Sequence, residues 1–154
     1  MKKALFALAL AGLVTGSAAA DSNFGVKLGQ FSIDGDSSAA TQVGLVYTWD
    51  LAGMFGIEGE INTSLAKGAF GPVDYGITQL GAYGVVMSPG PFYFKGKAGY
   101  VHTEVDAPGA GNSNDLAYGV GVGFELIGFV WEVEYTITDA DGADADMISL
   151  AFKF

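Results

Sequence analysis

Residues 129–137 read FVWEVEYTI. Phe129, Trp131, Val133, Tyr135 and Ile137 take every second place, and Val130, Glu132, Glu134 and Thr136 fill the gaps. Period 2 is the mark of a β-strand with one apolar and one polar face. The fold turns on which face meets water, and on whether that water lies outside the protein or within it.

Seven more segments alternate in the same way: 24–34, 41–50, 54–66, 75–88, 92–103, 117–126 and 147–154. Gly, Pro, Asp and Ser clusters separate them, as turn chemistry requires. The pattern is clean in most. Val43, Leu45, Tyr47 and Trp49 share a face; Phe55, Ile57, Ile61 and Leu65 oppose Glu58 and Glu60; Phe92, Phe94, Ala98 and Tyr100 oppose Lys95 and Lys97. Tyr118, Val120, Val122 and Phe124 oppose glycines and Glu125, and Ile148, Leu150, Phe152 and Phe154 oppose Ser149 and Lys153. Two segments are less regular. Phe24, Val26 and Leu28 share a parity that Phe31 and Ile33 break, which predicts a bulge or strand end near Gly29. In 75–88, Leu80 and Val86 fall on the side expected to be polar, together with Gly76 and Gly84.

The connections alternate in length. DGDSSAA, KGAFGPVD, EVDAPGAGNSND and DADGADAD are long and mostly acidic, whereas LAG, PGP and IG are short. Eight antiparallel strands joined this way form an up-and-down meander, and closing it removes both sheet edges.

The chain opens MKKALFALALAGLVTGSAAA. Two lysines, the apolar stretch Ala4–Val14 and the small residues Ala18–Ala20 predict a cleavable signal peptide at 1–20 and a barrel domain at 21–154. The apolar stretch is short for a membrane-spanning helix. Cysteine is absent, which excludes a lipid-anchored cysteine, disulfides and thiolate metal sites. The formal charge of −10 becomes about −12 without Lys2 and Lys3, and arginine is absent. No basic patch exists for nucleic acid. Half the residues are hydrophobic, enough to fold.

Two closed architectures share period 2. A soluble, lipocalin-like barrel buries its apolar face inward; a membrane barrel turns it outward. Three features favour the second. The apolar faces carry no charge in their central stretches, as lipid requires, since a charge at the midplane costs about 2–4 kcal/mol. The polar faces are rich in glycine (Gly25, Gly29, Gly44, Gly99, Gly119, Gly121 and Gly123 among them), which cannot make a dry core but can line a narrow bore. Trp49, Phe55, Phe92, Phe124, Phe129 and Phe154 lie beside the short turns or the last residue, and Tyr75, Tyr118 and Tyr135 lie toward the long loops. Two such girdles mark the edges of a bilayer.

With this pattern the chain resembles the small outer-membrane β-barrel superfamily, the opacity-protein-like and porin-family group. The likeness rests on the leader, the eight segments and the final MISLAFKF, and it covers the whole mature chain. FYFKGKAGY and AYGVGVGFEL look like that family's fifth and sixth strands. The resemblance implies a Gram-negative outer-membrane location with both chain ends periplasmic and contact with lipid and lipopolysaccharide. It also implies that Phe154, with Phe152 and Leu150, forms the signal read by the barrel-assembly machinery. A monomer is expected, and no peptidoglycan-binding domain after residue 154.

Candidate chemistry follows from parity. Lys27, Glu58, Glu60, Lys95, Lys97, Glu125, Glu132, Glu134 and Lys153 are expected in the lumen as an ion-pair network, because single charges in a tight interior are costly. Such a network plugs the bore or gates a narrow path for small ions or solutes. Asp139, Asp141, Asp144 and Asp146 have oxygen spacings loosely like a calcium loop, without its distal bidentate glutamate. A solvated acidic crown is the favoured reading, with no bound metal and no cofactor. Gly119–Gly123 is not a dinucleotide fingerprint, since no helix follows. His102 is expected on the outer face with no convergent serine, so no enzyme is expected. The function favoured is a structural or surface-interaction barrel.

Overall fold

A computed structural model of the chain describes residues 22–34, 38–107, 109, 111–140 and 143–154. The expected signal peptide, 1–20, lies outside them. Among the described residues nine strands form in chain order: β1 (Ser22–Ile33), β2 (Ala40–Ala52), β3 (Phe55–Ala66), β4 (Gly68–Phe70), β5 (Val73–Met87), β6 (Phe92–Asp106), β7 (Asn112–Leu126), β8 (Phe129–Ala140) and β9 (Ala143–Lys153). All pairings are antiparallel. Sequential neighbours pair, β3 pairs with β5, and β1 pairs with β9, so eight strands close on themselves. The protein is an all-β, eight-stranded antiparallel barrel.

The ninth element, β4, belongs to a connection expected to be a plain loop. It pairs with the start of β5 through Phe70↔Val73 and extends that strand past the wall. Gly71 makes this possible: its φ of 59° is the left-handed value a two-residue hairpin loop takes at its first place. Strands also run further than expected elsewhere, so that β7 begins at Asn112 and the β6–β7 connection shrinks to 107–111.

The register fixes the tilt. From Leu28, cross-strand partners lead one way through Val43, Thr63, Thr78 and Glu104 to Asn112. The other way they lead through Leu150 and Val133 to Val122. Asn112 and Val122 share a strand ten residues apart, and that stagger in an eight-stranded barrel requires strands inclined by about 40°. Along β8, Phe129 to Ile137 therefore rises about 20 Å.

Apolar side chains coat the outside. Val26, Leu28, Ile57, Phe94, Val120, Trp131, Val133, Ile148 and Leu150 are all exposed. At the short-turn end Phe24, Phe129, Trp131, Phe152 and Phe154 make a continuous aromatic cluster across β8, β9 and β1. Its ring centroids are 4.8 Å apart for Trp131–Phe152 and 5.4 Å for Phe129–Phe152. The opposite boundary carries a polar row, Gln30, Thr41, Thr63, Thr78, His102, Asn114, Asp139 and Asp146, with Leu65 exposed beyond Thr63 on β3.

Three expectations are corrected. β1 has no bulge at Gly29; its pairing with β2 is unbroken from Ser22 to Phe31, and Phe31 simply points inward. The parity of β5 is reversed. Leu80, Gly84 and Val86 face outward, whereas Tyr75, Ile77, Tyr83 and Val85 are buried inside. Tyr75 is thus no part of an outer girdle. The physical reason is that the bore is not uniformly polar. Phe31, Ala40, Tyr75, Ile77, Ala145 and Met147 form an apolar cluster at its loop end, and Tyr83, Val85, Val101 and Ala117 form another along one wall.

Candidate functional site

Alternation aims the charged residues of five strands at one another. β3 supplies Glu58 and Glu60, β6 supplies Lys95 and Lys97, and β8 supplies Glu132 and Glu134; β1 adds Lys27 and β9 adds Lys153. These eight side chains belong to residues no more than 4% exposed. Glycine makes room for them. Gly119 and Gly121, facing the bore from β7, stand opposite Lys97 and Lys95.

The eight form two stacked rings of alternating sign. In the ring nearer the short turns, Lys95 Nζ lies 2.6 Å from Glu58 Oε1 and 2.8 Å from Glu132 Oε1. Lys153 Nζ completes it at 3.0 Å from Glu58 Oε2 and 3.1 Å from Glu132 Oε1. In the second ring Lys27 Nζ is 2.6 Å from both Glu60 Oε1 and Glu134 Oε1. Lys97 Nζ closes it at 2.7 Å and 2.5 Å from the same two oxygens. Lys95 joins the rings at 2.8 Å from Glu134 Oε2.

Neutral groups complete the lattice. The Thr48 hydroxyl donates to Glu58 Oε2 at 2.7 Å and accepts from Lys153 at 3.0 Å. The Tyr93 hydroxyl donates to Glu132 Oε2 at 2.7 Å, and Thr136 donates to Glu134 at 3.2 Å. The Lys97 ammonium stands 4.2 Å from the centroid of the Tyr83 ring, whose negative face attracts it. Tyr93 also lies over Gly123, where a Cβ would collide with its ring.

Four lysines against four glutamates leave the lattice neutral. Each charge meets two or more of opposite sign, the condition under which buried ions persist at all. The glutamates are consequently unsuited to acid–base work, since their lone pairs are held by ammonium groups. Glu58, Glu60 and Glu134 bring carboxylate oxygens within 4.8 Å of one another, the only such convergence of three ligands among the described residues. Lysines already fill it.

The remaining candidates lie elsewhere. Glu125 shares the inward parity but is exposed at the end of β7 and makes no ion pair among the described residues. Asp139 and Asp144 are cross-strand partners, and Asp146 stands opposite Ile137. Asp141 lies outside the described residues. Leu150, Phe152 and Phe154 face outward on or just after β9. His102 also faces outward, its Nδ1 2.9 Å from Asn114 Oδ1. The neighbouring Ser113 faces the bore and donates to Asp115 at 2.6 Å. The barrel wall therefore separates serine from histidine, and no nucleophile–base pair forms there.

Sequence reasoning did not place Thr48, Tyr83 and Tyr93 around the lattice. Tyr93 could have been found, because it has the parity of Lys95 and Lys97. Tyr83 could not, since it became an inward residue only through its pairing with Glu58.

The family model for the outer membrane protein beta-barrel domain matches residues 6–154. No curated protein matches the chain. Among solved structures, the chain is similar to Ail, the attachment invasion locus protein of Yersinia pestis, with 17% identity and a TM-score of 0.60 over 86% of this chain and 96% of that one. It is also similar to the outer membrane protein OprG of Pseudomonas aeruginosa, with 14% identity and a TM-score of 0.61 over 88% and 96%. The outer membrane enzyme PagL is a third, with 13% identity and a TM-score of 0.54 over 86% and 98%. At these identities the likeness is one of fold.

Proposed function

The chain belongs to the outer membrane protein beta-barrel domain family, and from that premise we propose that it is a non-enzymatic structural barrel displaying acidic loops at the cell surface. It is a protein of the Gram-negative outer membrane. One observation carries the reading: the eight charges that could have lined a path or served a reaction are consumed in a closed lattice inside the wall. The lattice leaves none of these eight charges over for chemistry, and His102 is held by Asn114 on the outer face.

Because the lattice is neutral, the net charge near −12 is carried outside it, mostly on the loops and rims. Ail has been solved with the heparin analogue sucrose octasulfate. A polyanion of that kind does not suit this chain, whose loop end offers Lys67 against acids such as Asp34, Asp74, Glu104 and Asp106. Contact with lipopolysaccharide phosphates therefore runs through bridging divalent cations. The leader at 1–20 is removed on export, the outward Leu150, Phe152 and Phe154 serve as the assembly signal, and the barrel works as a monomer.

The test is twofold. Planar-bilayer recording of the refolded protein is expected to be silent; discrete conductance steps that change in Glu132→Gln or Lys95→Met would replace the plug with the gate. Cysteine labelling of Asp139→Cys on intact cells is expected to succeed, and protection of that site would reverse the topology.

A further inference from the structure

The three short turns differ from the loops in chemistry. Residues 51–55, 88–92 and 126–129 contain no charged side chain. Leu51, Met54, Leu126 and Ile127 are exposed at their tips, Ile127 to 88%. The flanking acids, Asp50 and Glu125, have the inward parity. Ile127 is also held at a φ of 53°, with Gly128 at 76°. A two-residue hairpin loop of this type takes Asn, Asp or Gly at its first place, and a β-branched residue there is an outlier. A side chain both conformationally disfavoured and fully apolar gains nothing by projecting into water.

The outer face supplies the reason. The apolar belt on β8 rises only about 20 Å, whereas such belts stand about 25 Å tall. On β8 it ends at Asp139 on the loop side, but on the other side it runs without a break from Phe124 and Phe129 into Leu126 and Ile127. We propose that the three short turns are immersed in the periplasmic leaflet, so that Leu51, Met54, Leu126 and Ile127 are lipid-contacting residues that lengthen the belt and set the depth of the barrel. The occupant is the interfacial layer of the phospholipid itself, because the surface continues an established lipid interface.

The native sequence has no cysteine, so single sites report cleanly. Ile127→Cys, Leu51→Cys and Asp106→Cys would each be labelled with an environment-sensitive fluorophore and refolded into vesicles of phosphatidylcholine alone. Only protein with heat-modifiable migration would be read. Labels at 127 and 51 are expected to emit at shorter wavelength than the label at 106. They should resist aqueous iodide and be quenched by lipids carrying a spin label near the headgroup end of the acyl chain. Iodide quenching at 127 and 51 equal to that at 106 would overturn the proposal and leave the tips free for a periplasmic protein. Should Ile127→Cys not fold, Leu51→Cys decides the matter by the same readings.

Discussion

Lys97 shows what one residue contributes. Its ammonium bridges Glu60 and Glu134, which share only one further cation, Lys27, and it rests against the Tyr83 ring. Removing it leaves two carboxylates facing each other with one lysine between them. Lys97→Met should lower stability by about 3 kcal/mol in urea unfolding from vesicles, the cost of breaking a buried ion pair from one side. Removing a glutamate as well restores the balance. The double variant Lys97→Met/Glu60→Gln should therefore lose less than the two single changes added together, by about 1.5 kcal/mol. Strict additivity would mean that the lattice is a set of unconnected contacts.

Strand β5 is where local pattern and tertiary structure part. On β3, β6, β8 and β9 one parity carries charge, and lipid tolerates charge on one side only, so Glu58, Lys95, Glu132 and Lys153 declare their face in sequence. Residues 75–88 hold apolar side chains on both parities, and the deciding fact, that Tyr83 opposes Glu58 across the ladder, is not local. Phe31 misled for the same reason: an apolar residue inside a polar bore looks like a break in register. Fold class and closure were thus readable, whereas the apolar cap of the bore was not. The reversed parity is testable by glycine substitution. Gly84 faces lipid with no atom closer than 3.9 Å to an added Cβ, so Gly84→Val should change stability by less than about 0.5 kcal/mol. Gly81 lies beneath the Tyr83 ring, so Gly81→Val must displace it and should cost about 1–3 kcal/mol. On β8, Val133→Lys puts a charge near the middle of the belt and should cost about 2–4 kcal/mol. Equilibrium unfolding in vesicles measures all three.

On the proposed structural reading, the whole molecule is closed twice. The ion-pair lattice fills the bore toward the short turns, and Phe31, Ala40, Tyr75, Ile77, Ala145 and Met147 fill it toward the loops. These closures fail for different reasons. A lattice opens when its charges are unbalanced, while an apolar plug opens only when volume is removed, because it excludes water without any polar partner. Eight strands leave an interior that side chains just fill, so neither closure has slack to yield when the other does. Lys97→Met alone should therefore not make the barrel conduct, although it destabilises it. Phe31→Ala with Met147→Ala, which empties the loop-end cluster, should stay silent while the lattice holds. Only the combination of all three changes is expected to give steps in planar-bilayer recording, with the refolded fraction checked by gel migration. Conductance in Lys97→Met alone would show that the apolar cap does not seal the bore and that the lattice is its gate.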